Sequence, residues 1–199
     1  VGWVKGRLIA APVSRTNRRL HWSRLRGQAI GALLLDFAKA FPSVSLESMW
    51  AVLRAQGWPE ERVRALSRLH EDMRQVIVIG NERFPGPARD SGLWTGSGAS
   101  TVLLLCLLDV LAECLFARPE FVRDDDDASD LESFADDYAV LLRQLRHAGI
   151  FKDLLFTFWS WSGIGPSYSK TVLVLSEAAW PERDEWRARF WPSLQVGKE

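Results

Sequence analysis

The sequence predicts an α+β fold in which an antiparallel sheet is backed by helices. Short apolar runs that suit buried strands are mixed with longer segments of helical periodicity, without the regular rhythm of βαβ units. Two pairs of strand-like runs are each joined by a tight turn, as in β-hairpins. With 199 residues, 47% of them apolar and 25% charged, the chain is long enough for one domain with a sizeable core.

The first half of the chain begins with a basic segment and continues with a strand and two helices. Ser45 is expected to cap the first of these two helices and Gly57 to end it, while Pro59 falls in the first turn of the second. In chain order, the sequence predicts a helical segment over 7–27, a buried strand "GALLLDF" over 31–37, and helices over 45–58 and 59–73.

The second half contains the two predicted hairpins. The first turns at Gly80 and Asn81, and the second carries Asp136 and Asp137 between the arms "ESFA" and "YAVLL". The other predicted segments are a Gly/Pro-rich loop over 85–98, a strongly apolar helix over 99–116, a charged surface loop over 123–130, a helix over 144–161 and a strand over 170–175. The Trp-rich tail over 177–199 has no assignment.

Charge is distributed unevenly although the formal net charge is zero. The first 35 residues carry seven basic side chains and no acid, so the remainder is acidic by the same amount. This asymmetry indicates a polyanion partner for the N-terminal segment, and a solvated basic helix face is the alternative. The seven residues are Lys5, Arg7, Arg15, Arg18, Arg19, Arg24 and Arg26.

The cysteines and the apolar helix argue against a secreted or membrane protein. Cys106 and Cys114 lie in one apolar stretch and are interpreted as packing residues of a reduced, intracellular protein. That stretch is interrupted by Asp109 and Glu113, which makes it a poor membrane span. No membrane partner is therefore predicted.

The paired aspartates within an apolar, strand-like region are the strongest chemical signal. Two adjacent carboxylates at a hairpin tip repel each other unless a cation compensates, and Mg²⁺ prefers hard oxygen ligands. Asp36, at the end of a buried strand, is the natural third carboxylate, and three such groups suit two metal ions about 3.5–4 Å apart. Asp36 as a helix cap, and Asp136 and Asp137 as turn formers, remain open alternatives.

The acidic run Asp124–Asp127 is a rival metal site. A contiguous run does not easily converge on one ion, and its neighbours are polar. A solvated loop is the favoured interpretation.

Five segments in order resemble the motifs of reverse transcriptases of non-LTR retrotransposons. "GWVKGR" (2–7) is similar to an early fingers block of that family, "LLLDFAKAFPSV" (33–44) to its motif A, "SGLWTGSGAST" (91–101) occupies the place of motif B, "FADD" (134–137) is similar to motif C and "GIGPSYSKTVLVL" (163–175) to motif D. The resemblance covers most of the chain and implies a polymerase palm over 31–176, with a finger-like insertion at about 58–90. Residues 1–30 would be partial fingers, with no clear thumb.

The resemblance also implies roles for individual residues. Asp36 and Asp136 would bind two Mg²⁺ ions, with Mn²⁺ as the alternative metal, and Asp137 would support them. Phe41 would exclude a ribose 2′-hydroxyl, and Lys170 would approach the leaving pyrophosphate. By the same resemblance, Thr95 and Gly96 would lie at the nucleotide, and Lys5, Arg7, Arg15, Arg18 and Arg19 at template phosphates. The residues alone leave Phe41 open as a core residue and Lys170 as a strand-edge lysine.

The implied activity is RNA-directed DNA synthesis from deoxynucleoside triphosphates on an RNA template with a DNA primer, in the nucleus if the element is eukaryotic. Motif B departs from the family pattern, because Thr95 replaces its glutamine and Gly98 and Thr101 replace its prolines. Two alternatives follow: an inactive remnant that binds nucleic acid or has a structural role, and a group II intron-type reverse transcriptase or RNA-dependent RNA polymerase. The sequence is interpreted as a piece of a longer protein.

Overall fold

A computed structural model describes residues 10–71, 74–88, 91–121, 129–134 and 137–198. The helices are α1 (Ala10–Leu25), α2 (Ala40–Ser43), α3 (Leu46–Ala55), α4 (Glu60–His70), α5 (Gly98–Phe116), α6 (Leu145–Ser162) and α7 (Arg183–Ala188). The strands are β1 (Gly31–Leu35), β2 (Arg74–Ile79), β3 (Glu82–Ala88), β4 (Asp130–Phe134), β5 (Asp137–Leu142), β6 (Val172–Leu175) and β7 (Gln195–Lys198).

Five strands form the main sheet, in the order β4-β5-β1-β6-β7. Strand β1 lies at the centre and pairs antiparallel with β5 and β6, with Leu35 opposite Tyr138 and Leu34 opposite Val172. Only β6 and β7 pair in parallel among the described strands. The predicted antiparallel sheet is therefore present, with one parallel pair added at its edge.

The alternation of side chains along β1 separates two faces of the sheet. Leu33 and Leu35 point into the main core, which α3, α5 and α6 help to build. Ala32 belongs to a smaller cluster on the other face, where Leu20 of α1 packs. Leu34 is on that second face as well and stays 43% exposed, so α1 leaves the end of β1 near Asp36 partly open.

Helix α5 supplies much of the main core. Its length and composition would allow it to cross a membrane, which holds for no other helix within the described residues. A row of its leucines, from Leu103 to Leu115, is instead buried against the sheet and α6. This packing accounts for the apolar composition of α5.

The β2–β3 hairpin lies apart from the main sheet. Its turn at Gly80 and Asn81 is as predicted, and Gly80 has the positive φ of 62° that such a turn requires. The loop predicted over 85–98 was too long, because β3 continues to Ala88. Proline is tolerated in β3 because this is an edge strand and because the β2–β3 register shifts between Pro85 and Ala88.

The tail that the sequence left unassigned is part of the fold. After a 3₁₀ turn at Trp180–Glu182, α7 leads back to β7, which extends the sheet. Trp186 of α7 is 1% exposed and packs so closely on Gly31 that a Cβ at that glycine would meet the indole at 2.8 Å. A parallel β6–β7 pair needs such a crossover connection.

Two local predictions have different outcomes. Ser45 caps α3 as expected, since its hydroxyl accepts from the backbone N–H of Ser48 at 3.3 Å. The charged surface loop was predicted to reach residue 130, but Ser129 and Asp130 are buried and Asp130 begins β4. The acidic run Asp124–Asp127 lies outside the described residues.

Candidate active site

Asp36 lies directly after β1, and the segment that precedes β6 holds its backbone in place. The N–H of Ser167 donates to the Asp36 carbonyl at 2.7 Å, and the Thr171 hydroxyl accepts from the Asp36 N–H at 3.4 Å. Phe37 forms an antiparallel bridge with Pro166. The predicted motif A and motif D segments therefore meet at Asp36.

Lys170 approaches the Asp36 side chain from that same segment. Its Nζ lies 3.6 Å from Asp36 Oδ2, which is an ion pair longer than a hydrogen bond. The Oδ2 atom is buried and has no hydrogen-bond partner. The side chain of Lys170 is 71% exposed, so water screens this pair and its contribution to stability is small.

The β4–β5 hairpin brings Asp137 to the same end of the sheet. Asp137 is the first residue of β5 and pairs with Phe134 of β4. The β1–β5 register ends with Leu35 opposite Tyr138, so its next step places Asp36 opposite Asp137 on one face. Asp136, the other predicted ligand, lies outside the described residues.

A pocket of about 420 Å³ opens between these strands and α1. Asp36, Asp137 and Lys170 line it, together with the apolar side chains of Leu34 and Tyr138. Three further polar residues line the pocket that the sequence did not single out. These are Thr16 and Asn17 of α1 and Glu132 of β4.

Two ion pairs fasten α1 to β4 beside the pocket. Arg15 donates from two of its guanidinium nitrogens, Nε and Nη2, to the two carboxylate oxygens of Glu132, at 2.5 and 2.7 Å. Arg19 pairs with Asp130, and both of these side chains are buried. Burial raises the pKa of Asp130 above its ordinary value, although the Leu131 N–H and the Arg19 charge act in the opposite direction.

The structure therefore gives Arg15 and Arg19 partners within the protein. Their predicted contact with template phosphates stays a prediction, as does that of Arg18, which is exposed on α1. Lys5 and Arg7 lie outside the described residues. The bidentate geometry and the burial of the β4 carboxylates show that Arg15 and Arg19 help to dock α1.

The remaining predicted nucleotide contacts lie away from the walls of the pocket. Phe41 is half-buried and packs against the main core, and its carbonyl accepts from the Leu93 N–H at 2.7 Å. Thr95 and Gly96 are exposed in the turn before α5, where Gly96 has a φ of 91°. Their contact with a nucleotide stays a prediction.

The donor set at Asp36 suits a hard cation. Its buried oxygen without a hydrogen-bond partner shares a pocket with the carboxylate of Asp137, and Mg²⁺ prefers such oxygens. Both oxygens of Glu132, which also lines this pocket, are held by Arg15. No group of three His, Cys, Asp or Glu side chains forms a metal cluster within the part of the chain that is described. Asp36 does not cap α2, whose N-cap is Lys39 without a side-chain cap. The alternative of Asp36 as a cap is therefore wrong.

Comparison with known proteins adds information on the fold. No protein-family model and no curated protein matches the chain. Apo telomerase from Candida tropicalis, truncated from the C-terminal domain, is similar with a TM-score of 0.59 and 10% identity, over 83% of this chain and 35% of that one. Telomerase from Candida tropicalis in complex with the TWJ fragment of telomeric RNA has a TM-score of 0.64 and 12% identity, over 83% and 29%.

This likeness shows the fold alone, since both identities are low. The chain has a reverse-transcriptase-like fold, and the predicted α+β polymerase palm is confirmed. The chain spans about a third of the length of the two telomerases.

Proposed function

We propose that this chain is the palm and partial fingers of a non-LTR retrotransposon-type reverse transcriptase. The observation that carries the proposal is the register that places Asp36 opposite Asp137, with Lys170 beside them. Carboxylates that converge from adjacent strands are typical of two-metal phosphoryl transfer. A structural neighbour studied with telomeric RNA adds support for nucleic-acid binding.

In this proposal Asp36 and Asp136 hold two Mg²⁺ ions, and Asp137 supports them. Bound there, the metal would activate the primer 3′-hydroxyl and neutralise charge on the triphosphate. Lys170 supplies a positive charge or a proton at the leaving pyrophosphate. The ring of Phe41 would clash with a ribose 2′-hydroxyl, and this steric exclusion favours deoxynucleotides.

Primer extension on an RNA template tests the proposal directly. Asp36→Asn and Asp137→Asn keep the size of each side chain but remove its charge. Each is expected to lower incorporation by at least about a hundredfold, the scale of lost electrostatic stabilisation at a transition state. Asp153→Asn, at an exposed position on α6, is the matched control and should leave the rate unchanged. Full activity in the double variant Asp136→Ala/Asp137→Ala would refute the assigned mechanism.

A second candidate function is an inactive copy that binds nucleic acid. The contact of Lys170 with Asp36 favours it, since the ammonium group compensates the carboxylate without a metal. The two candidates differ in their response to Mg²⁺. Deoxynucleotide incorporation that depends on Mg²⁺ would exclude the inactive copy, and incorporation of ribonucleotides in preference would favour an RNA polymerase.

A further inference from the structure

A second pocket, of about 360 Å³, lies along the C-terminal half of α1 and is rich in arginine. Four arginines contribute to its walls, and none of the described lining residues is acidic. The lining residues are Arg18, Arg19, Trp22, Ser23, Arg26, Gln28 and Arg143. We refer to this site as the arginine pocket.

Internal contacts hold two of the four guanidinium groups in place. Arg143 donates to the Ser23 hydroxyl at 3.2 Å and to the Gln28 side-chain oxygen at 3.1 Å. Arg19 is fixed by its buried pair with Asp130. These contacts pre-orient the donor groups of Arg19 and Arg143.

The outer wall combines arginine with an exposed indole. Arg18 and Trp22 lie four residues apart on α1 and therefore share one face of the helix. Arg26 directly follows α1 and continues this spacing, since its N–H donates to the Trp22 carbonyl at 3.0 Å. Trp22 is 52% exposed, and the Arg26 guanidinium lies 5.9 Å from its ring centroid. Neither Arg18 nor Arg26 has a carboxylate partner among the described residues. Packing within the fold does not explain this arrangement.

The chemistry of this site matches a nucleic-acid strand. Guanidinium groups bind phosphate oxygens in a planar fork, and an exposed indole offers a surface on which a base stacks. We infer that the arginine pocket binds single-stranded nucleic acid, with a phosphate among the arginines and a base on Trp22. An acidic peptide would satisfy the charges but would not require the indole.

The arginine pocket is separate from the candidate active site. Arg143 follows β5, whereas Asp137 begins that strand, so the two sites lie about 20 Å apart at 3.3 Å per residue. That distance corresponds to roughly six nucleotides at 3.4 Å each. The inference rests on the proposed function, because the bound strand would be the template or the product of synthesis.

Fluorescence anisotropy with a fluorescein-labelled 12-nucleotide single-stranded RNA tests the inference without catalysis. The titration contains neither Mg²⁺ nor nucleotides. Trp22→Ala should weaken binding roughly 5- to 150-fold, the range for one base stacked on an aromatic ring, and Trp22→Phe should restore most of the affinity. Arg18→Ala/Arg26→Ala should reduce the magnitude of the negative slope of log K against log salt by about 1.4, or 0.7 for each phosphate that is no longer neutralised.

The control is Arg183→Ala/Arg189→Ala, which removes the same charge at two exposed positions in and after α7. Circular dichroism and urea unfolding confirm that each variant is folded. An unchanged affinity in folded Trp22→Ala, an equal loss in the control, or equal competition by a polyglutamate peptide would overturn the inference. Intact RNA binding that depends on Trp22, together with failed primer extension, would reject the proposed function and retain the arginine pocket.

Discussion

Replacing Arg19 by methionine tests whether this arginine attaches α1 to the sheet or has no role other than contact with nucleic acid. The substitution keeps an unbranched stem of the side chain but removes the charge that faces Asp130, which is 1% exposed. A buried carboxylate that loses its partner costs about 3–5 kcal/mol. For a domain of this size, that corresponds to a fall in melting temperature of about 6–20 °C.

The loss should also depend on pH, because Asp130 is able to take up a proton. Burial already raises the pKa of Asp130, and removing Arg19 raises it further. A carboxyl with a raised folded-state pKa favours the folded state at low pH and costs stability as the pH rises towards that pKa. The destabilisation by Arg19→Met should therefore be smaller at pH 5 than at pH 8.

Urea unfolding at both pH values, with thermal melts, measures these effects. Arg24→Met, in the exposed last turn of α1, is the matched control and should cost about 1 kcal/mol or less. Arg19→Met/Asp130→Leu should recover most of the loss, since apolar pairs often replace buried ion pairs without cost. A destabilisation below about 1 kcal/mol in Arg19→Met, with RNA affinity reduced, would refute the docking role.

Four further predictions concern stability and are measured by urea unfolding. Burial lowers the pKa of His147, so as the pH falls the histidine of the unfolded chain is protonated before that of the folded protein. The free energy of unfolding should therefore decrease as the pH drops below about 6.5. His147→Gln should remove this part of the pH dependence. Gly163→Ala should destabilise the protein by more than about 2 kcal/mol, because φ is 78° at this glycine and the new Cβ would clash with the Ser43 carbonyl oxygen. Lys39→Gly should stabilise it by about 1 kcal/mol, because Lys39 has a φ of 50°, which favours glycine. Trp186→Ala should cost about 3–5 kcal/mol, and a loss below 1 kcal/mol would contradict its place in the core.

Local signals predicted the elements that carry Asp36 and Asp137. The strand before Asp36 is a short apolar run. The two strands on either side of the aspartates are close together in the sequence and pair as a hairpin. Ser45 and Gly80 act through backbone conformation and hydrogen bonds that reach only a few residues. Such features are visible in the sequence because their partners are close along the chain.

The features that the sequence did not predict depend on distant partners. Glu132 lines the pocket and pairs with Arg15, which lies 117 residues away along the chain. Trp186 completes the core against Gly31, and neither residue carries a local signal for that contact. The parallel β6–β7 pair also forms through a crossover rather than a turn. Tertiary packing, rather than propensity or periodicity, determines these contacts.

The uneven charge of the sequence has a different meaning once α1 is placed on the sheet. Arg15 and Arg19 neutralise Glu132 and Asp130 of β4, the strand that leads into the aspartate hairpin. Glu132 lines the same pocket as Asp36, so without Arg15 it would add negative charge there and would repel a phosphate that approached. Arg18 of α1, and Arg26 directly after that helix, line the arginine pocket about 20 Å from Asp137. The α1 segment thus neutralises an acid in the candidate active site and carries positive charge at a distance from it, an arrangement that suits the proposed binding of a nucleic-acid strand across both sites.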